Sequence, residues 1–125
     1  MSRAYYMITN NPLVITSTYK NIDIVPVKTL GIMDVLMTTR DFLHQGHRLI
    51  THPLTGSLKP NENPYKSVLI SKKQDVCDFN DVALLEQCTA SAEKFIKGKA
   101  LPKYCDRKAN DFMLVDQLLI EGSLK

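Results

Sequence analysis

Residues 32–51 read IMDVLMTTRDFLHQGHRLIT, and this stretch carries the clearest signals of the fold class. Its least polar residues recur at helical spacing and form one stripe made of Ile32, Val35, Leu36, Thr39, Phe42 and Leu43. The spacing predicts a helix over 32–45, and Gly46 ends it because glycine readily adopts the conformation that follows a helix. Residues 48–51 then have the apolar, β-branched character of a strand. A helix followed at once by a strand is typical of an α/β sheet.

Three further strands are predicted outside this stretch, over 5–8, 22–27 and 67–71. Pro26 places the strand 22–27 near an edge of the sheet, because proline has no N–H group for a ladder. Residues 13–19 fit either a strand or a short helix. Two later helices are predicted, one over 80–97 and one from a cap at Asn110 to about Gly122.

This order of elements predicts one α/β domain spanning residues 1–125. The expected architecture is a single layered domain, with a sheet of about four mostly parallel strands and helices packed against it. The strands 48–51 and 67–71 have no predicted helix between them. An antiparallel hairpin with a long tip and a parallel coil crossover therefore both stay open for this pair.

The chain has a net charge of +3 and a sequence pI of about 8.8, which argues against a dedicated nucleic-acid-binding protein. Its three cysteines, Cys77, Cys88 and Cys105, have no CxxC spacing and are expected to be free thiols. No apolar run approaches the length of a membrane span, and the first residues lack the apolar core of a secretory signal. We therefore expect a cytoplasmic protein that does not contact a membrane.

Two of the predicted strands end in polar clusters, and ligands of open α/β sheets bind beyond the carboxyl ends of strands. The first strand ends in the loop 9–12, and the third opens a long, proline-containing loop over 52–66. If both strands are parallel and adjacent, the two clusters meet at one rim. The residues that we expect to bind a ligand at this rim are Thr9, Asn10, Asn11, His52, Gly56, Ser57, Lys59 and Asn61.

These residues offer mostly neutral hydrogen-bond donors and acceptors, together with the ammonium group of Lys59 and the imidazole of His52. Gly56 allows the backbone to come close to a ligand. Such a set suits a carboxylate, a phosphate or a small amino acid. The glycine spacings of phosphate-binding loops and dinucleotide sites are missing from the sequence, so no cofactor is predicted.

Metal binding and nucleophilic catalysis are not predicted. His44, His47 and His52 are close in sequence, but they belong to different predicted elements, and no carboxylate or cysteine completes a ligand set at useful spacing. Cys88 lies near the buried face of a predicted helix and is expected to be a core residue. Ser57 lacks the GxSxG context of a nucleophile elbow.

Several stretches of the sequence resemble the GrdX family. They are ITNNP at 8–12, RD at 40–41, GHRLITHPLTGSLKPNE at 46–62, PYKSVLIS at 64–71 and DFMLVD at 111–116. The resemblance spans nearly the whole chain. It implies a small protein encoded with the selenium-dependent glycine, sarcosine and betaine reductases of anaerobic, amino-acid-fermenting bacteria. It implies no catalytic residues, and the chain has no redox cysteine pair that would make it a reductase subunit itself.

Three hypotheses for function follow from the residues and the resemblance. The leading one is a non-enzymatic accessory protein of the reductase system, which binds a small anionic metabolite or a protein of the reductase complex at loops 9–12 and 52–66. The second is a small enzyme with His52 as general acid/base, for which Glu62 is the nearby acidic residue in sequence. The third is a homo-oligomer that assembles through these loops, with Leu54 and Leu58 at the subunit contact.

Overall fold

A computed structural model of the chain describes residues 4–29, 31–53, 63–96 and 106–124. Strands and helices alternate along these residues, and most of their bounds agree with the sequence prediction to within a residue. The elements are β1 (Tyr5–Thr9), α1 (Pro12–Ile15), β2 (Ile22–Pro26), α2 (Ile32–His44), β3 (Ser67–Ser71), α3 (Phe79–Ile96) and α4 (Asp106–Ser123).

The start of the last helix differs from the prediction. α4 begins at Asp106, so Asn110, predicted as its cap, lies inside the helix. An acidic residue in the first turn is favourable there because it faces the positive end of the helix dipole. The ambiguous stretch 13–19 contains the end of the short helix α1, which Asn11 caps by accepting a hydrogen bond from the N–H of Leu13.

Within the described residues, the sheet has three strands of mixed direction, in the order β2-β1-β3. β1 is parallel to β2, with Thr9 opposite Pro26, and antiparallel to β3, with Thr9 opposite Ser67. The prediction of an α/β fold is confirmed, but that of about four mostly parallel strands is not, because Arg48–Thr51 joins the sheet through a single antiparallel bridge between Leu49 and Ile70.

Side-chain hydroxyl groups explain why Arg48–Thr51 does not continue as a fourth strand. The N–H of Leu69 donates to Oγ1 of Thr51 at 3.0 Å, and the N–H of Arg48 donates to Oγ of Ser71 at 2.8 Å. In a regular ladder both N–H groups bond to backbone carbonyls of the neighbouring strand. Here hydroxyls take those positions, so the ladder stops after one bridge.

Helices cover both faces of the sheet. Because side chains alternate along a strand, Ile8 and Ile70 point to α2 and α3, where they pack with Leu36 and Leu85. Met7 and its cross-strand neighbour Leu69 point to the other face, where they pack with Val14 of α1 and Ile120 of α4. The second of these core clusters fixes α4 beside β3.

The end of α2 is built around Gly46. The N–H of His47 donates to the carbonyl of Phe42, and that of Gly46 donates to Leu43, which is the Schellman arrangement of a helix end. Gly46 has a φ of +103°, a region that side-chain-bearing residues rarely adopt. Its carbonyl accepts a hydrogen bond from the N–H of Asp75, so the turn is also joined to the connection before α3.

Candidate functional site

The carboxyl end of β1 is where two segments distant in sequence come together. Both β1 and the segment Arg48–Thr51 are antiparallel to β3, so they run in the same direction. Asn10, which follows β1, and His52, which follows the segment, therefore lie at the same end of the sheet. Ser67, the first residue of β3, stands between them, since it pairs with Thr9 and lines a cleft with His52.

This cleft, which we name the strand-end cleft, opens between the start of β3 and α4. The described residues that line it are Thr51, His52, Lys66, Ser67, Asp116, Leu119, Ile120 and Ser123. Its cavity volume is about 20 Å³, which is enough for roughly one water molecule. One water molecule, or a single oxygen atom of a ligand, therefore fits in the cleft, and the rest of a ligand stays outside.

A chain of hydrogen bonds forms the polar wall of the cleft and ends on the buried carboxylate of Asp116. Oγ of Ser67 donates to Oδ2 of Asp116 at 2.7 Å, because a carboxylate can only accept. The hydroxyl of Thr9 must then donate to Oγ of Ser67, also at 2.7 Å, while Oγ1 of Thr9 accepts from the N–H of Asn11. Asp116 is only 5% exposed, so the hydroxyl of Ser67 depends on this carboxylate directly and that of Thr9 depends on it through Ser67.

Asn11 joins α1 to α4. Its Nδ2 donates to Oδ2 of Asp116 at 2.9 Å and to the carbonyl of Met113 at 2.8 Å. Since its Oδ1 caps α1 by accepting from the N–H of Leu13, both ends of this fully buried amide are bonded inside the protein.

Asn10 is also bonded internally. Its Nδ2 donates to the carbonyls of Pro64 at 2.8 Å and Gly31 at 3.2 Å, and its Oδ1 accepts from the N–H of Lys66 at 2.9 Å. Asn10 thus fixes the residues that lead into β3, including Lys66, at the end of β1. Its direct contact with a ligand, which the sequence predicts, stays a prediction.

The profile of one protein family, described as GrdX-like protein, matches residues 6–125 of the chain. The chain belongs to this family. No curated protein and no solved structure matches it. The family match confirms the resemblance found in the sequence and extends over β1 through α4.

Among the described residues of this GrdX-like protein, Lys66 is the lysine that lines the strand-end cleft. Its side chain is partly buried, and desolvation lowers the pKa of its ammonium group, although Asp116 and the Cys88 thiol act in the opposite direction. Cys88 is a buried residue of α3, and burial raises the pKa of its thiol more than Lys66 lowers it. The cleft therefore contains a partly desolvated cation that interacts electrostatically with the buried carboxylate of Asp116.

The histidines of the GrdX-like chain lie in separate environments. His52 is exposed at the cleft, and His44 is exposed near the end of α2. His47 is buried and packs edge-on against Phe42 and Tyr6. Its Nδ1 forms a hydrogen bond of 2.8 Å to the carbonyl oxygen of Ser71. In the described ranges, no three His, Cys, Asp or Glu side chains are placed to hold a metal, and no helix is long and apolar enough to cross a membrane.

Four of the eight residues predicted to bind a ligand fall in 54–62, outside the described residues. They are Gly56, Ser57, Lys59 and Asn61. Glu62, Leu54 and Leu58, on which the enzyme and oligomer hypotheses depend, lie outside them too. Of the other four predicted residues, the structure brings Thr9, Asn10, Asn11 and His52 to one end of the sheet.

Sequence reasoning missed the three residues that give the cleft its chemistry in this GrdX-like protein. Lys66 falls inside the predicted binding loop 52–66 and Ser67 begins the predicted strand 67–71, but neither is among the residues predicted to bind a ligand. Asp116 precedes the buried Ile120 by four residues and so lies on the inner face of α4. An acidic residue at a core position of a helix is the signal that could have found it.

Proposed function

We propose that this GrdX-like protein is a non-enzymatic accessory protein of the glycine, sarcosine and betaine reductase system and binds a small anionic metabolite at the strand-end cleft. Membership of the family supports the link to the reductase system. One observation supports the binding activity. Lys66, a partly buried cation with a lowered pKa, lines a cleft at the carboxyl end of β1.

An anion at this position pairs with Lys66 and is opposed by the carboxylate of Asp116, which accepts hydrogen bonds from Asn11 and Ser67. Desolvation makes the charged form of Lys66 costly, and a carboxylate or phosphate oxygen beside its ammonium group offsets that cost. His52, exposed at the same cleft, adds a ring N–H that can donate to the same oxygen. The hydroxyl of Thr51 accepts from the N–H of Leu69 in β3, and the hydroxyl of Ser67 donates to Asp116. These two hydrogen bonds fix the shape of the cleft.

The first test replaces Lys66 with methionine and compares the stabilisation that anions give to each protein. We expect acetate, inorganic phosphate or glycine to raise the melting temperature of the native chain, because a ligand at about one hundred times its Kd adds about 2.7 kcal/mol. Lys66→Met is expected to weaken this binding at least about tenfold, since a hydrogen bond to a charged group contributes roughly 1.5–3 kcal/mol. Differential scanning fluorimetry over a range of ligand concentrations measures both effects.

Lys28→Met is the matched control, because Lys28 is an exposed lysine after β2 that does not line the cleft. It removes the same charge and should keep the ligand response of the native chain. The melting temperature of each variant without ligand separates lost binding from lost folding. An equal response of Lys66→Met and the native chain to every anion tested would exclude the proposed site.

The affinity for a carboxylate is expected to fall as the pH rises toward 10.5. A bound anion favours the protonated form of Lys66, so affinity is full below the pKa of Lys66 and is lost as the group deprotonates. Since desolvation lowers this pKa from its ordinary value of 10.5, the loss should begin at a lower pH than for an exposed lysine. Titrations with acetate, whose own charge is constant in this range, measure the profile. Lys66→Arg should make the profile flat, and a flat profile for the native chain would contradict the proposal.

The enzyme hypothesis keeps one supporting observation, which is that His52 and Asp116 line the same cleft. General acid/base catalysis by His52 requires turnover of a bound metabolite, and His52→Asn would abolish that turnover while leaving binding largely intact. Binding without turnover, and a normal ligand response in His52→Asn, distinguish an accessory protein from an enzyme.

A further inference from the structure

A second cavity lies on the α4 face of the sheet, where β1 and β2 begin. We name it the tyrosine cavity and define it by Tyr5, Tyr19, Lys20, Ile22, Ile50 and Leu69. Its volume is about 350 Å³, within the range of roughly 300–1,000 Å³ that is typical of small-molecule sites. The strand-end cleft is far smaller and lies toward the opposite end of β1.

The walls of the tyrosine cavity are held in place by hydrogen bonds. The hydroxyl of Tyr19 donates to Oε2 of Glu121 at 2.6 Å, which ties the ring to α4. The N–H of Tyr5 donates to the carbonyl of Asn21 at 3.0 Å, and Asn21 has a φ of +64°, which closes the turn before β2. Asparagine is one of the few residues that adopt this conformation readily. A ligand would therefore meet a cavity that is already formed.

The lining combines apolar surface with one charge. Leu69 forms a buried part of the wall, whereas Ile50 is 49% exposed although it is a large aliphatic residue. An apolar group that covers Ile50 is removed from water together with it, which favours binding. Lys20 carries the one charge among the described lining residues, and the phenol of Tyr5 can donate a hydrogen bond beside it.

We propose that the tyrosine cavity binds a small organic acid with an aromatic or aliphatic body. The acid group pairs with the ammonium group of Lys20, and the body packs against Tyr5, Tyr19 and Ile50. Ser123 of α4 lines both this site and the strand-end cleft, whereas the other lining residues of the two cavities differ. The proposal for this site does not depend on the function proposed for the cleft.

Three probes of related structure test the ligand class on the isotope-labelled full chain by nuclear magnetic resonance. 3-Phenylpropionate has the acid group and the body, 3-phenylpropylamine has the same body with the opposite charge, and propionate has a much smaller body. We expect 3-phenylpropionate to shift the amide signals of Tyr5, Asn21 and Leu69. We also expect it to bind about tenfold more tightly than the amine, because the exposed ion pair with Lys20 changes from attraction to repulsion. Propionate should bind more weakly than 3-phenylpropionate because it covers less apolar surface.

Two pairs of variants separate the cavity from non-specific binding. Ile50→Glu places a negative charge on the wall and should abolish the shifts caused by 3-phenylpropionate. Leu118→Glu makes the same change at an exposed apolar residue of α4, 60% exposed and outside the lining, and should leave the shifts unchanged. Lys20→Met should remove the preference for acid over amine, whereas Lys28→Met should keep it.

Several results would overturn this proposal. They are equal binding of acid and amine to the native chain, equal effects of Ile50→Glu and Leu118→Glu, and an absence of shifts up to the solubility limit of 3-phenylpropionate. Shifts confined to Ser67 and Asp116 would assign the acid to the strand-end cleft and would also overturn it. A variant with Lys66→Met should retain full binding of 3-phenylpropionate, so failure of one site is distinguishable from failure of the other.

Discussion

Replacing Asp116 with alanine is expected to lower the free energy of unfolding by about 3 kcal/mol, because a buried acceptor of two hydrogen bonds is lost. Nδ2 of Asn11 and Oγ of Ser67 both donate to Oδ2 of this carboxylate. Without it, the buried side chains of Asn11 and Ser67 lose their shared acceptor. Urea denaturation followed by circular dichroism measures the change.

Asp111→Ala is the control for this effect, because Asp111 is an exposed aspartate on the same helix. Its replacement is expected to change the free energy of unfolding by no more than about 0.5 kcal/mol, as is usual for surface positions. Asp116→Asn keeps an acceptor oxygen, so its free energy of unfolding should lie between those of Asp116→Ala and Asp111→Ala. If Asp116→Ala and Asp111→Ala have equal stability, the carboxylate does not hold α4 to the end of the sheet.

Gly46→Ala is expected to destabilise the protein by about 2–4 kcal/mol, since it combines an unfavourable backbone conformation with a steric clash. A Cβ atom at this position would overlap the carbonyl oxygen of Asp75, which belongs to the backbone and cannot rotate away. Either the turn after α2 or the connection before α3 must shift. The hydrogen bond from the N–H of Asp75 to the carbonyl of Gly46 would then be strained or lost.

Gly122→Ala provides a control of opposite sign. Gly122 lies in the last turn of α4, and a Cβ atom there would have no neighbour within 4 Å. Alanine is a better helix former than glycine, so this variant should be more stable by up to about 0.5 kcal/mol. Thermal unfolding of both variants tests the pair, and a neutral Gly46→Ala would show that the turn after α2 is not constrained as described.

The parts of the fold that sequence predicts well are those whose determinants are local. The apolar stripe from Ile32 to Leu43 and the glycine after it gave the bounds of α2 because a helix end needs only a few neighbouring residues. β3 is likewise a short apolar run between polar residues, and its predicted bounds are those of the structure. Each of these elements carries its own signal.

The parts that sequence missed depend on contacts between distant residues. Residues 48–51 have strand-like character, yet Thr51 and Ser71 place hydroxyls where a fourth strand would need backbone carbonyls. On α4, Leu118 is 60% exposed while Asp116 is buried, because the hydrogen bonds to Asn11 and Ser67 decide which face turns inward. Local pattern alone cannot predict either outcome.

The candidate site was predictable in position and only partly in composition. Strand ends are where ligands of α/β sheets bind, and this led to Thr9, Asn10, Asn11 and His52. This rule could not reveal that the side-chain amides of Asn10 and Asn11 are bonded internally, or that Lys66 lines the cleft. Both facts follow from the antiparallel direction of β3. The binding role of each predicted residue stays a prediction.

The borders of the sheet have a consequence for how copies of the chain meet in a crowded cell. On the β3 side, Thr51 and Ser71 saturate amide groups through their hydroxyls, and on the β2 side Pro26 has no amide hydrogen and Asp23 is an exposed charge. Strand addition from another chain needs an uninterrupted row of free backbone groups. In the part of the chain that the structure describes, neither border offers one, so the fold discourages growth into fibrils.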